Sequence, residues 1–200
     1  MKADDWRTMP ALVGTGLRLE PLRLADASAF YAALGPPELR AEVVAHLRYP
    51  ELIDVGVVRA LIAAALTDPD RLPYAQRLPD GTFVGTTSFY EIAPATRALA
   101  IGHTWVARPY WRTAVNTESK LLMLTRAFDG LGAERVVWHT DIRNERSQAA
   151  IARLGAAREG VLRHHRIRTD GSWRDTVQFA MLAEEWPEVR ARLRARLARG

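Results

Sequence analysis

The stretch Tyr110-Trp-Arg-Thr-Ala-Val-Asn-Thr-Glu-Ser-Lys120 decides the reading, because it joins two different periodicities. Before it, residues 98–107 alternate as a β-strand. That pattern puts Ile101, His103 and Trp105 on one side and Gly102, Thr104 and Val106 on the other. After it, the apolar spacing is that of an amphipathic helix running to about Gly130. A strand that turns tightly into a helix exposes unpaired backbone N–H groups at the positive end of the helix dipole, a setting that favours an anion. The same residues also allow an ordinary capped helix, with Asn116 or Thr117 as N-cap and Glu118 in the first turn. Ala114 is the one small residue in the loop, which holds no glycine.

Outward from this junction the chain reads as mixed α/β. Residues 17–24 alternate as a strand, and Asp26 offers an N-cap for a helix through Leu34, closed by Gly35-Pro36-Pro37. A helical region broken at Tyr49-Pro50 follows, to about Leu66. Residues 74–78 and 82–92 read as a hairpin around Pro79-Asp80-Gly81. Beyond the junction come a strand at 135–142, a helix at 145–154, a hairpin of 160–168 with 173–182 around Asp170-Gly171, and a last helix over about 184–198. The expected fold is α+β: a mixed, largely antiparallel central sheet of about seven strands flanked by helices.

Composition narrows the classes. With 200 residues and 48% hydrophobic residues, and without repeats, low-complexity segments or linkers, a single domain over 1–200 is expected, its core at about 15–186. The chain has no cysteine, which excludes disulfide frameworks, thiolate metal sites and cysteine nucleophiles and agrees with a reducing cytoplasm. The first residues lack the apolar core of a signal peptide, and the longest apolar stretch, near 61–66, is too short for a membrane span, so a soluble protein is expected. The net charge of +5 comes almost wholly from arginines dispersed among acids, so it is read as a mildly basic surface and no nucleic-acid partner is expected. The arginines of residues 190–199 form the wet face of a helix whose apolar stripe is Trp186, Val189, Leu193 and Leu197. Serine-hydrolase elbow, Walker A and H-E-x-x-H motifs do not occur.

Several ordered motifs together resemble the GNAT superfamily of acyl-CoA-dependent N-acetyltransferases, in its RimJ/RimL-like branch of ribosomal-protein N-terminal acetyltransferases. They are Gly16-Leu-Arg-Leu-Glu-Pro21, Ile101-Gly102, Trp111, Asn116-Thr117-Glu118, Leu131-Gly132, Asp141-Ile-Arg-Asn144-Glu-Arg-Ser147, Leu154-Gly155-Ala156, Glu159-Gly160-Val-Leu-Arg163, Asp170-Gly-Ser-Trp-Arg-Asp175 and Glu185-Trp186. The resemblance implies a sheet splayed between its fourth and fifth strands, residues 98–107 and 135–142, with the pantetheine arm of acetyl-CoA in the gap. Backbone N–H groups of Arg112, Thr113, Ala114, Val115, Asn116 and Thr117, behind Trp111, would cradle the pyrophosphate. An N–H near Trp105 and Val106 would face the thioester oxygen. The family expects Arg or Gln, two spacers, Gly, one spacer, then Gly or Ala; here the positions read Trp111, Ala114 and Asn116. A positive φ at Ala114 would cost about 1 kcal/mol relative to glycine.

The resemblance further implies direct attack of a neutral primary amine on the thioester, without an acyl-enzyme. The acceptor would be a protein N-terminus or a small molecule. In that pattern Asn144 bonds the pantetheine amide region and Ser147 protonates the departing thiolate; on spacing alone either is a helix cap or a surface residue. His103, His139 and Glu91 are the candidates for base. No metal is expected, since the adjacent His164 and His165 face opposite ways on a strand. The branch often forms dimers. The rival readings are a non-catalytic acyl-CoA or small-ligand binding protein on the same scaffold, and a basic RNA-associated module.

Overall fold

The computed structural model describes residues 3–199 of the chain. The turn at residues 78–82 shows how local sequence builds the sheet. Gly81 takes φ +89°, its N–H bonds the Leu78 carbonyl at 2.9 Å, and Asp80 Oδ1 accepts the Thr82 N–H at 2.9 Å. This closes a hairpin of β3 (Arg71–Arg77) and β4 (Phe83–Ala93). The other strands are β1 (Leu12–Val13), β2 (Arg18–Pro21), β5 (Ala98–Val106), β6 (Arg135–Asp141), β7 (Ala157–Ile167) and β8 (Trp173–Leu182). They form one eight-stranded sheet in the order β1-β2-β3-β4-β5-β6-β8-β7, antiparallel except between β5 and β6. The expected seven strands are all present, and the additional one is the two-residue β1, too short to show a period.

Helices cover both faces. α4 (Val115–Thr125), α5 (Glu145–Leu154) and α6 (Trp186–Leu197) contribute Met123, Leu124, Ile151, Leu154, Trp186 and Leu193 to one apolar core, together with Leu19, Ile101 and Val106 of the sheet. α1 (Ala27–Ala33), α2 (Pro37–Val44) and α3 (Val55–Thr67) form the second core with Ala75, Phe83 and Trp105. Within it Phe30 meets Trp105 edge to face at 4.7 Å. Asp26 stands at the N-cap of α1 as expected, yet its carboxylate accepts from the Arg23 N–H at 2.9 Å and pairs with Arg77 at 2.5 Å instead of capping the helix.

Strict alternation fails along β5. Ile101 and Trp105, expected on one side, belong to opposite cores. The cause is a bulge: Ser88 faces Gly102 and Thr86 faces Trp105, so β5 carries one residue more than β4 between these pairs. His103 absorbs the kink at φ +49°. The fully buried Gln76 completes the repair, its Nε2 donating to the Thr86 carbonyl at 2.9 Å and the Trp105 carbonyl at 3.0 Å. Gly85, at φ +154°, lets the chains approach; a Cβ there would lie 2.1 Å from the Trp105 oxygen. We expect Gly85→Ala to lower stability by about 3 kcal/mol in urea denaturation, since both the backbone conformation and the contact must yield. A loss below about 1 kcal/mol would show that the bulge relaxes freely.

Candidate active site

The site is built where the sheet stops being a sheet. β5 and β6 pair only through Ala98 with Arg135, Leu99 with Val136 and Ala100 with Val137. Beyond the third pair β5 continues to Val106 along β4, and β6 continues to Asp141 along β8. Their facing edges diverge into a wedge, bounded by the strands that the sequence marked as neighbours.

Tyr90 bridges the wedge just above its apex. Its ring leaves β4 and passes over Gly102 of β5, where a Cβ would stand 2.7 Å from the ring. Its hydroxyl then meets His139 Nδ1 of β6 at 3.1 Å. His139 Nε2 lies 3.1 Å from Gln178 Oε1, and the same amide donates through Nε2 to Glu159 Oε2 at 2.9 Å. This chain fixes the imidazole tautomer: Nε2 carries hydrogen toward the amide oxygen, so Nδ1 accepts from the Tyr90 hydroxyl. Burial raises the Tyr90 pKa, with a further rise from the Glu91 charge, so the hydroxyl stays protonated at neutral pH. Glu91 Oε2 lies 3.6 Å from His139 Nδ1, and its other oxygen pairs with Arg166 at 3.1 Å.

His103, His139 and Glu91, the three candidate bases, therefore gather around Tyr90, which sequence reading overlooked. A glycine inside a strand pattern was the available signal, since Gly102 marks a close approach from a neighbour. His103 packs edge-on against the Tyr90 ring at 5.3 Å. Burial, then the nearby charges of Arg71, Arg48, Arg166 and Arg174, push its pKa down to about 3. It is a neutral, weakly basic imidazole at pH 7.

The Trp111–Thr117 loop closes the wide end of the wedge. Trp111 Nε1 donates to the Val106 carbonyl at 2.7 Å, and its ring lies between the guanidinium groups of Arg146 on α5 at 3.7 Å and Arg108 at 4.6 Å. α4 begins at Val115, with Ala114 at its N-cap in place of Asn116 or Thr117. Ala114 has φ −66°, so the strain expected there does not arise; Arg112 takes the left-handed conformation at φ +63°. Among the described residues the N–H groups of Asn116 and Thr117 have no backbone partner outside the helix, as the first turn requires. Glu118 turns inward, its carboxylate accepting from the Gly16 N–H at 3.0 and 3.2 Å. Across the wedge Asn144 caps α5, its Oδ1 accepting the Ser147 N–H at 3.0 Å, and Ser147 is half-buried. The candidate residues thus form two groups: Trp105, Val106, the loop, Asn144 and Ser147 at the wide end, and the Tyr90 group nearer the apex.

These features match known proteins. The acetyltransferase (GNAT) domain model matches residues 16–157, and the chain belongs to that family. It is an acyltransferase. A structure described as a "putative acetyltransferase" from T. thermophilus is 40% identical over 96% of this chain and 99% of its own, with a TM-score of 0.87. Mycobacterium smegmatis RimJ, in complex with CoA-disulfide, is 26% identical over 94% and 91% of the two chains, with a TM-score of 0.73. The Bacillus subtilis protein named "Putative ribosomal N-acetyltransferase YdaF" is 29% identical over 109 residues, so the match spans 54% of this chain and 58% of that relative. These likenesses support the RimJ/RimL-like branch.

A second residue unnoticed in the sequence is Lys120 on α4. It is buried, and its Nζ meets only the hydroxyls of Thr87 at 3.1 Å and Thr104 at 2.9 Å, with no carboxylate within ion-pair distance among the described residues. Burial holds its pKa down at about 7. Because the folded value lies below the unfolded one, the cost of the buried ammonium is fully present below pH 7 and fades as pH rises toward 10.5. Replacement Lys120→Met should therefore stabilise the protein by several kcal/mol at pH 6 and much less at pH 10, read from urea midpoints. A gain independent of pH would refute the assignment.

Proposed function

We propose that the chain is a cytoplasmic N-acetyltransferase that moves the acetyl group of acetyl-CoA to a primary amine, of the kind carried by a protein N-terminus. The observation that carries this reading is the wedge between β5 and β6, opening onto the N-terminus of α4. The pantetheine arm would lie along the free strand edges, with its amides taking the place of the missing ladder bonds. The pyrophosphate would sit at the N–H groups of residues 112–117, where the helix dipole favours negative charge, with the Arg112 guanidinium beside it. Asn144 would meet the pantetheine amide region.

The neutral amine nitrogen attacks the thioester carbon. A C–N bond forms as the carbonyl π pair moves to oxygen, where backbone N–H near Trp105 and Val106 would steady the tetrahedral species, and the C–S bond breaks as that species collapses. Ser147 gives its proton to the departing thiolate as its oxygen takes one from water, and the His139 imidazolium later returns its proton to solvent. The amine loses its proton to the Tyr90 oxygen as that hydroxyl passes its own hydrogen to His139 Nδ1. The tautomer held by Gln178 leaves this nitrogen free to accept. His103 supports the ring that makes this contact, and Glu91 faces the resulting imidazolium.

Two measurements test the reading. Isothermal titration should give acetyl-CoA binding to the native protein and binding weaker by at least about 30-fold in Ala114→Asp. A carboxylate at the N-cap stabilises α4 but repels phosphate, so the variant should unfold at an equal or higher temperature; equal affinity would move the site elsewhere. For the proton route, Tyr90→Phe and His139→Ala should each lower kcat by roughly 10- to 100-fold with KM for acetyl-CoA within about threefold. An unaltered kcat in both would remove the relay. Binding of acetyl-CoA without thiol release for any amine would favour a non-catalytic acyl-CoA binding protein.

A further inference from the structure

On the face of the sheet covered by α1–α3, the segment linking α2 to α3 and the β7–β8 hairpin enclose a cavity of about 170 Å³. Its charged lining is cationic: Arg48, Arg143, Arg168 and Arg174 against Asp141 and Asp170. Internal pairing consumes part of this set. Asp141 holds Arg168 through both oxygens at 2.7 and 2.9 Å and also accepts the Arg143 backbone N–H at 2.9 Å. The Asp170 carboxylate accepts the Ser172 N–H at 2.8 Å. Arg174 is held only loosely. It is only 9% exposed, its nearest carboxylate oxygen is 4.0 Å from Nε, and that buried Nε has no hydrogen-bond partner among the described residues. Arg48 has no ion pair among them, and His46 beside it is neutral at pH 7, its pKa lowered first by burial.

A buried guanidinium whose Nε lacks a hydrogen bond and whose one ion pair is long is costly to keep, whereas a carboxylate placed against it forms a short, charge-assisted pair. The cluster also adjoins the Tyr90 bridge. Arg166, the cross-strand partner of Arg174, pairs at 3.1 Å with Glu91, the residue after Tyr90. With acetyl-CoA placed at the wide end, beside the α4 and α5 N-termini, the amine would come from this other side.

We propose that the acceptor carries a carboxylate close to its amine, and that Arg174, with Arg48 at the rim, binds it as the specificity determinant. The inference rests on the N-acetyltransferase reading. It excludes polyamines as preferred acceptors and names two sources for the anion: an acidic residue next to a peptide N-terminus, or the carboxylates of a free amino acid.

The test follows thiol release from acetyl-CoA with peptides differing only in Glu or Gln at the second residue, with free glutamate, and with spermidine. The native enzyme should favour the Glu peptide or free glutamate over the Gln peptide by at least about tenfold in kcat/KM, with spermidine poorest. Which of the two acidic acceptors leads identifies the source. Arg174→Met should shrink the preference to below about threefold, mainly through KM. Should that variant fail to fold, Arg48→Met, on an exposed segment, must at least halve the preference. A Gln peptide as good as both the Glu peptide and free glutamate, or spermidine as the best acceptor, overturns the proposal while leaving the transferase intact. Should no amine release thiol, the transferase reading falls and titration with N-acetylglutamate in the presence of CoA decides the anion site. Binding at least about tenfold tighter to native protein than to Arg174→Met upholds it, and equal or absent binding overturns it.

Discussion

The rest of the structure depends on the parallel pairing of β5 with β6 ending after three residue pairs. Backbone amides inside a protein must find partners, so two central strands that part company leave donors and acceptors that only another extended chain could satisfy. The molecule keeps the strands apart with particular devices. The bulge at His103 turns β5 away, Gln76 bonds the carbonyls that the bulge displaces, and Gly85 allows the backbone contact that holds the new register. Tyr90 then restores one link across the wedge with a side chain in place of a ladder bond.

Electrostatics divide the wedge into two sides of different character. At the α4 side the positive potential comes from peptide dipoles and from Arg112, Arg108 and Arg146 at the surface. At the other it comes from Arg48, Arg71, Arg166 and Arg174, which add to burial in depressing His103, while His139 is the imidazole in contact with the Tyr90 hydroxyl. A family fold supplies the wedge; what can enter from each side is set by these local charges.

Much of this is legible in the sequence, for identifiable reasons. The hairpin at 74–78 and 82–92, the strand near 135–141 and the helix at 145–154 can be read because apolar spacing and Asp-Gly or Leu-Gly punctuation are local signals, although β3 and β4 carry register shifts that these signals do not show. The register of β5 defeats the same reading because alternation assumes an ideal pleat, and nothing in Ala98–Val106 announces an extra residue. The start of α4 falls two or three residues earlier than expected because Asn116 and Thr117 are strong capping types, while the helix begins from Ala114, whose preference for a cap is weak. The gathering of His103, His139 and Glu91 lies beyond sequence reading alone, since it needs β4, β5 and β6 side by side. Tyr90 and Lys120 escape notice because their roles depend on burial and on partners far along the chain.

The loop at Arg112 has a consequence for how this sequence can drift. With the left-handed residue at Arg112 and Ala114 in ordinary helical geometry, the turn into α4 needs no glycine at the positions where the family pattern expects one. Uncharged side chains can replace glycine there so long as the backbone keeps its course. The inflexible positions lie instead at Gly85 and Gly102, inside strands, where each is hemmed in by a carbonyl or an aromatic ring. A lineage could rewrite the loop that a motif search inspects and keep its chemistry, yet change one strand glycine and lose the wedge.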